Sequence, residues 1–465
     1  MTRIAHIPST SFLMRFSLRA SATLLLATGA AGCNDILQTE PVTSIPQDQL
    51  ITDAATATAS LNGAYDALQS GSYYGLSALL VGDLAADNAL WTGTFQYLGE
   101  MATNRMQADN PEITGMWTAI YQQIDRDNVL IDRVPKVTTI PASMRDDIMG
   151  QAYFMRALGF HNLVKFWGAV PVPTKPVAAP SDAQKYTRAP VAEVYTQVLK
   201  DLDSAQALIR QTTSTRYATV IAARALRSRV LFYRAGLTNS QADYQAALDA
   251  ANQVLSGRDT LVVPFGNLFD AAGTNTTEDI FRISYNATET NGISNYYLRV
   301  GRGEVAPAPG LDAAFSAGDL RKARTVATTG VSARPLDGAK YVARPGTEHV
   351  HVIRLAEVVL IKAEALARLN RLPEAVAQYN KVRVRAGLVL HTLGSEVTTL
   401  EQVLSAIETE RRLELALEGD RWADLVRLGR AVAVKGIQDR VGQTLFPIPL
   451  RDTRTSLGLT QNPGY

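Results

Sequence analysis

Val230-Leu231-Phe232-Tyr233-Arg234-Ala235-Gly236, with Tyr244-Gln245-Ala246-Ala247-Leu248 behind it, returns in altered form further along the chain. The second copy is Glu364-Ala365-Leu366-Ala367-Arg368-Leu369-Asn370 with Pro373-Glu374-Ala375-Val376-Ala377. In each, a helix rich in small residues runs into a Gly or Asn turn, and a second helix opens on an alanine-rich face. This is tetratricopeptide-like grammar, with divergent units at a period of about 34 residues. One helix of such a pair cannot bury its apolar stripe alone, so the pairs must stack. The expected helices are 218–237 with 244–255, and 353–369 with 373–386. A further unit is expected from 142–166 and 191–209, split by a proline-rich loop. The units then lie at about 142–209, 218–255 and 353–386 of a mostly α single domain.

Working outward, residues 53–69 keep a 3.6 period through Ala57, Leu61, Ala64, Tyr65 and Leu68 and should form a helix. Residues 71–110 carry Gly, Asn, Asp and aromatics and look looser. A helix is expected over 112–134, and the helix over 142–166 should stop at Trp167-Gly168-Ala169-Val170-Pro171, with Gly and Pro as punctuation. Residues 259–348 differ from everything around them. Short runs such as Ile280-Phe281-Arg282-Ile283-Ser284-Tyr285 alternate with Gly- and Pro-rich pieces, so loops with a few short strands are expected. An irregular insertion of this length in a helical body is usually functional.

The N-terminus carries an export signal. Met14-Arg15-Phe16-Ser17-Leu18-Arg19 is a basic start, Ala20 to Ala27 is apolar, and Ala30-Ala31-Gly32 supplies small residues before Cys33. The segment is too short to span a bilayer. Met14 is a candidate initiator, so 1–32 reads as a signal peptide. Cys33 is the only cysteine and has no internal disulfide partner. The pattern resembles a bacterial lipobox, with Ala30 where those signals prefer Leu. That implies diacylation of Cys33 and a membrane anchor of acyl chains. Residues 33–50 become a polar tether and 51–465 the folded body. A net charge of +2 gives no basic excess for nucleic acid. Five histidines and one cysteine leave little for a transition-metal site, and no cofactor is expected.

Six segments, taken in order, resemble the SusD/RagB family, the surface lipoproteins that partner SusC-like TonB-dependent transporters. Trp117-Thr118-Ala119-Ile120-Tyr121-Gln122-Gln123-Ile124-Asp125-Arg126-Asp127-Asn128 looks like the family's W-x-x-x-Y-x-x-I-x-x-x-N stretch. Arg156-Ala157 before Phe166-Trp167-Gly168-Ala169-Val170-Pro171, and Asp201-Leu202-Asp203-Ser204-Ala205, follow. Arg354 to Ala365 matches R-x-x-E-x-x-L-x-x-A-E-A. Glu410-Arg411-Arg412-Leu413-Glu414-Leu415 with Glu418-Gly419-Asp420-Arg421-Trp422 is the most specific piece. Phe446-Pro447-Ile448-Pro449 and the closing Gln461-Asn462-Pro463-Gly464-Tyr465 complete the set. The resemblance implies a non-enzymatic outer-membrane receptor, anchored at the cell surface, that captures oligosaccharides or peptides and acts as a lid over its transporter. The rivals are a tetratricopeptide-like protein-interaction scaffold without a small ligand, and a surface glycoside hydrolase.

Sugar rings present apolar C–H faces rimmed by hydroxyls, so their site needs an aromatic platform beside amides and carboxylates. Trp91, Tyr97, Asp87 and Asn88 offer that chemistry in one polar stretch. Tyr296-Tyr297 in the insertion is a second candidate set; adjacent aromatics point in opposite directions, so one of the two at most would stack a ligand. Tyr73-Tyr74 is a third. Trp117, Trp167 and Trp422 read as core. Glu410, Glu414 and Glu418 fall at i, i+4 and i+8, which stacks like charges on one helical face. Cations must answer them, and Arg383, Arg385, Arg411, Arg421 and Arg427 are the expected suppliers. The stack reads as a structural lattice, since a glycosidase needs two carboxylates facing each other across a cleft about 5–9 Å wide. His349-x-His351 lacks a third ligand for a metal.

Overall fold

The computed structural model describes residues 50–270, 276–456 and 458–465, with 180 and 183 described in backbone only. The signal peptide, Cys33 and nearly all of the tether lie outside the described residues.

Helix α1 (Ala54–Leu68) opens on a capping box. Thr56 N–H donates to Asp53 Oδ1 at 2.8 Å and Asp53 N–H donates to Thr56 Oγ1 at 3.0 Å. It buries Ala57, Leu61, Ala64 and Leu68, the stripe read from the sequence. The stretch expected to be loose instead holds α2 (Ser77–Leu84), strand β1 (Ala89–Trp91) and α3 (Gln96–Ala102). Every residue of α2 is buried, so it has no polar face and no stripe to betray it.

Helix α4 (Pro111–Arg133) starts at Asn110, whose Oδ1 accepts from Glu112 N–H at 3.1 Å, with Pro111 in the first turn. Helix α5 (Ala142–Trp167) packs on α6 (Val191–Leu208), and Arg156 joins them through two hydrogen bonds to Asp201 at 2.8 and 2.6 Å. Helices α7 (Val220–Thr238) and α8 (Gln241–Leu255) turn at Asn239, which takes the left-handed conformation. Trp117, Trp167 and Trp422 are core residues, as expected.

Within the insertion lie β2 (Asp279–Ile283), the short helix α9 (Ile293–Tyr297), β3 (Val305–Pro307), β4 (Val326–Thr328) and β5 (Leu336–Gly338). Strand β6 (Val350–Arg354) follows, so the first residues of the helix expected over 353–369 are strand. Among the described residues the strands pair two by two, all antiparallel: β1 with β3, β2 with β6, and β4 with β5. The chain then forms α10 (Leu355–Arg368), α11 (Leu372–Arg385), α12 (Leu400–Glu414) and α13 (Arg421–Arg427). Helix α10 packs between α8 and α11 and also meets α12.

The expected carboxylate stack is interrupted. Helix α12 ends at Glu414, and Glu418 sits in a turn where Leu417 and Gly419 have φ of 64° and 90°. A Cβ on Gly419 would lie 2.2 Å from Ala78 O, so backbone meets backbone there and only glycine fits. The structural reading of these carboxylates holds, with a corrected list of cations. Arg383 bonds Glu410 at 2.5 Å and Arg385 bonds Glu414. Arg354 bonds Glu414 at 2.5 Å and Glu418 at 2.9 Å. Arg321 reaches Glu410 at 2.9 Å, and Lys340 reaches Glu418 at 2.6 Å. Arg411, Arg421 and Arg427 pair elsewhere, with Asp424, with Asp87 and Glu408, and with Glu364 and Asp424. Burial works against the Glu414 charge, but Arg385, Arg354 and Arg321 prevail and hold its carboxyl far below the usual range.

Candidate functional site

The candidate residues divide into two groups by burial. Tyr73 and Tyr74 are core residues whose rings lie 4.5 Å apart. Both hydroxyls accept from Asn162 Nδ2, at 2.8 and 2.9 Å, so neither ring is presented to a ligand. Asn88 is fully buried, donates to Asp83 at 2.7 Å and accepts from Arg412 at 2.9 Å. Asp87 is clamped by Arg421 at 2.7 Å and Arg412 at 3.1 Å. Burial pushes the Asp87 carboxyl up, yet the two guanidiniums outweigh it and hold the carboxyl below its ordinary value. These two polar groups serve the scaffold and are not free for hydroxyls.

Trp91 ends β1 opposite Val305 and is half-buried. Its indole lies so close to α3 that a Cβ on Gly99 would stand 2.8 Å from Trp91 Cε3. Its Nε1 is buried without a hydrogen-bond partner.

Tyr97 and Tyr296 come together from distant parts of the chain. Phe95 and Tyr97 stack at 5.2 Å with an interplanar angle of 19°, and Tyr296 stands 6.3 Å from Phe95. All three rings are half-buried. Burial and the nearby Glu112 raise both phenols above their usual value; Tyr296 pushes Tyr97 up further, while Tyr97 acts to lower Tyr296. Tyr297, the neighbour of Tyr296, turns into the core at 2 % exposure. Arg302 lies 4.0 Å above the Phe95 ring with its side chain about half exposed, a cation–π contact at the rim.

Three side chains that the sequence reading passed over hold this cluster. Glu304 accepts from Thr94 N–H at 2.7 Å and Phe95 N–H at 2.9 Å, and Arg302 adds a contact at 3.4 Å. Burial opposes its charge, but those amides and Arg302 lower its pKa. Arg334 is buried and binds three segments at once. It donates to Tyr297 O at 2.9 Å, Val305 O at 2.8 Å, Thr92 Oγ1 at 2.9 Å and Gly303 O, and pairs with Asp337 at 3.0 Å. Gly303 has φ of 62°, and a Cβ there would stand 2.6 Å from Arg334 Nη1. Gly303 thus permits the turn that brings Arg302 over Phe95. Phe95 itself lay between two named aromatics, which was the available signal.

A family model described as "Starch-binding associating with outer membrane" matches residues 35–232, and the SusD family model matches residues 325–465. The chain belongs to the SusD family. SusD-like protein P2 of Formosa agariphila is 27% identical over 508 residues, covering 95% of this chain and 98% of that one. Among solved structures, a SusD superfamily protein from Bacteroides vulgatus superposes with a TM-score of 0.77 at 20% identity, covering 89% of this chain and 99% of the other. A structure named a laminarin binding SusD-like protein gives a TM-score of 0.76 at 23% identity, covering 89% and 100%. The helical scaffold and its short strand pairs are therefore the SusD fold. Among the described residues of this SusD-family chain, no helix is long and apolar enough to cross a membrane.

Proposed function

We propose that this SusD-family protein is a lipid-anchored receptor of the outer membrane that captures oligosaccharides at the Phe95–Tyr97–Tyr296 platform. It hands them to a SusC-like TonB-dependent transporter, over which it acts as a lid. The observation that carries the reading is the platform itself. Three half-exposed rings with Arg302 at their rim offer apolar faces and hydroxyl-bonding groups together, the combination that sugar rings require. Support comes from the laminarin-binding name of one structural neighbour and from the outer-membrane description of the family model. Trp91 flanks the platform as a supporting wall, and Cys33 is the acylation site. A pure protein-interaction scaffold would bury its aromatics, and these rings are not buried. Peptide cargo is the alternative ligand.

Affinity electrophoresis of wild type and Tyr97→Ala/Tyr296→Ala across a glycan panel tests the reading. Retardation by at least one glycan, lost in the double variant, is expected. Retardation by no glycan sinks the receptor reading, and release of reducing ends during the run makes the protein a hydrolase instead.

A further inference from the structure

A second ligand surface lies away from the platform, along α4. A cavity of about 610 Å³ has Trp117, Tyr121 and Tyr186 among its walls, with Asp125, Arg451 and Asp452. It shares Gln122 and Arg126 with a neighbouring cavity of about 500 Å³ between α1, α4 and the segment around Glu289. That one in turn shares Asp66, Gln69 and Glu289 with a third cavity of about 420 Å³, which ends at Tyr65 and Tyr217. The three spaces therefore lie side by side in one row, a trough divided by the side chains they share, with aromatic groups at both ends and amides and carboxylates between them. The stretch of α4 that borders it, Trp117 to Asn128, runs for about 17 Å.

We propose that this trough binds an elongated oligosaccharide as a second site, a proposal that rests on the receptor reading for its choice of ligand class. The half-exposed rings of Tyr121 and Tyr186 at one end and of Tyr65 and Tyr217 at the other suit C–H faces, with Trp117 in the core behind Tyr121, and they recur at the two ends, as a chain of repeating rings requires. Between them the polar groups are of mixed kind. Gln122 is exposed on α4, and Asp66 and Arg126 face each other at 4.0 Å with side chains 66% and 50% exposed. An exposed pair of that kind is weakly held, so Asp66 can exchange its partner for hydroxyls, while Arg126 also donates to Gly63 O. Asp125 spends one oxygen on Val177 N–H at 2.8 Å, and burial raises its pKa against that bond. An extended peptide would seek a strand edge for its backbone. The strand at this trough, β2, pairs with β6 on one side, and Arg282 N–H donates to Thr215 O at 2.9 Å on the other. Side chains, not backbone, do the recognising, which favours a polyhydroxylated chain.

Fluorine NMR of the protein labelled with 5-fluorotryptophan separates the two sites, because Trp117 lines the trough and Trp91 adjoins the platform. Trp422, which lines neither the trough nor the platform, is the silent control. The probes are laminarihexaose, maltohexaose, xylohexaose and an extended proline-rich decapeptide. The expected result is a saturable shift of Trp117 with a hexasaccharide in wild type. It persists in Tyr97→Ala/Tyr296→Ala and is lost, or needs at least tenfold more ligand, in Gln122→Phe. Gln122 is exposed, so the added ring obstructs the trough without entering the core. A shift of Trp91 alone overturns the second site and leaves the platform standing. A shift of Trp117 alone supports the trough and removes the platform. A Trp117 response to the decapeptide and to no sugar overturns the saccharide assignment, and silence of both tryptophans with every sugar overturns both sites.

Discussion

The buried charge lattice and the aromatic platform put arginine to opposite uses. In the lattice, Arg321, Arg354 and Arg385 are each buried against carboxylates that are buried too. Charge there is enclosed, paired acid to base and closed to ligands. At the platform, Arg302 covers an aromatic face while its side chain stays about half exposed. The same side chain fixes helices in one place and leaves a polar rim in the other. What separates them is the number of acids within reach: Glu278, Glu410, Glu414 and Glu418 surround the first set, and Glu304 alone meets Arg302. Perturbed, charge-rich clusters are candidates for chemistry in an unknown protein. Here the richest cluster is scaffold, and the site candidate is the poorer one.

Breaking the lattice has the largest expected effect. Glu414→Ala takes from Arg385 its closest carboxylate and from Arg354 one of three in a dry interior, a change of the kind that costs about 3–5 kcal/mol. Urea denaturation followed by circular dichroism reads it directly. The exposed pair Arg371–Glu374 is the control, and Glu374→Ala should leave the unfolding midpoint nearly unchanged. Equal losses in the two variants would mean that the lattice contributes no more than a surface pair.

Arg334 is where scaffold and platform meet. Arg334→Met keeps the apolar stem and strands the carbonyls of Tyr297 and Val305, for an expected loss of about 2–3 kcal/mol. Because those bonds tie α9 to β3, Tyr296 should lose its place beside Phe95. Glycan affinity should then fall together with stability. Unchanged affinity in the folded variant would detach the platform from its supposed support.

Tyr97→Ala/Tyr296→Ala sharpens the comparison from the other side. Both rings are half-buried, so affinity should drop at least tenfold, about 1.4 kcal/mol, while the unfolding midpoint moves less than in Glu414→Ala. Trp91→Phe, which keeps a ring against Gly99, should leave glycan affinity within about threefold, roughly 0.7 kcal/mol. Isothermal titration against the glycan identified by electrophoresis measures both. A larger loss in Trp91→Phe than in the tyrosine double variant would make Trp91 the platform and the tyrosines its support.

The helical scaffold was legible because its stripes keep a 3.6 period, as Ala57, Leu61, Ala64 and Leu68 do in α1. Helix α2 was not, since apolar residues on every side leave no period to detect. Arg383 and Arg385 could be matched to the carboxylates from the sequence. Arg321, Lys340 and Arg354 could not, because the insertion and β6 deliver them across long stretches of chain. Tyr97 and Tyr296 were named separately, and no local pattern records that Arg334 draws their segments together. Asp87 and Asn88 carried the right functional groups, and only the positions of Arg412 and Arg421 reveal that they are engaged.

The smallest effect expected is on pH dependence, and it lies beside the lattice. His351 Nδ1 stands 2.7 Å from Asp279 Oδ1, and Nε2 stands 2.7 Å from Leu268 O, so both ring nitrogens face acceptors and the imidazole is held as a cation. The ring also meets Phe269 edge-on. Burial and the nearby Arg354 act to neutralise His351. Its hydrogen bond and the charge of Asp279, with Glu418 behind, outweigh them and raise its pKa above 6.5. Burial likewise opposes Asp279, but His351 and Arg282 bring its carboxyl down to about 2. A raised histidine contributes stability that is complete below its unfolded value of about 6.5 and is lost as pH climbs through the folded value. A lowered aspartate contributes above its unfolded value of about 3.9 and fades as pH falls toward 2. The pair therefore stabilises most between about pH 4 and 6.5. His351→Gln keeps a polar group at the site and removes the titration, so the decline in stability of wild type above pH 6.5 should flatten in the variant. Parallel stability profiles for the two proteins from pH 5 to 9 would show that His351 is neutral in the fold and that its carboxylate neighbour does not hold a proton on it.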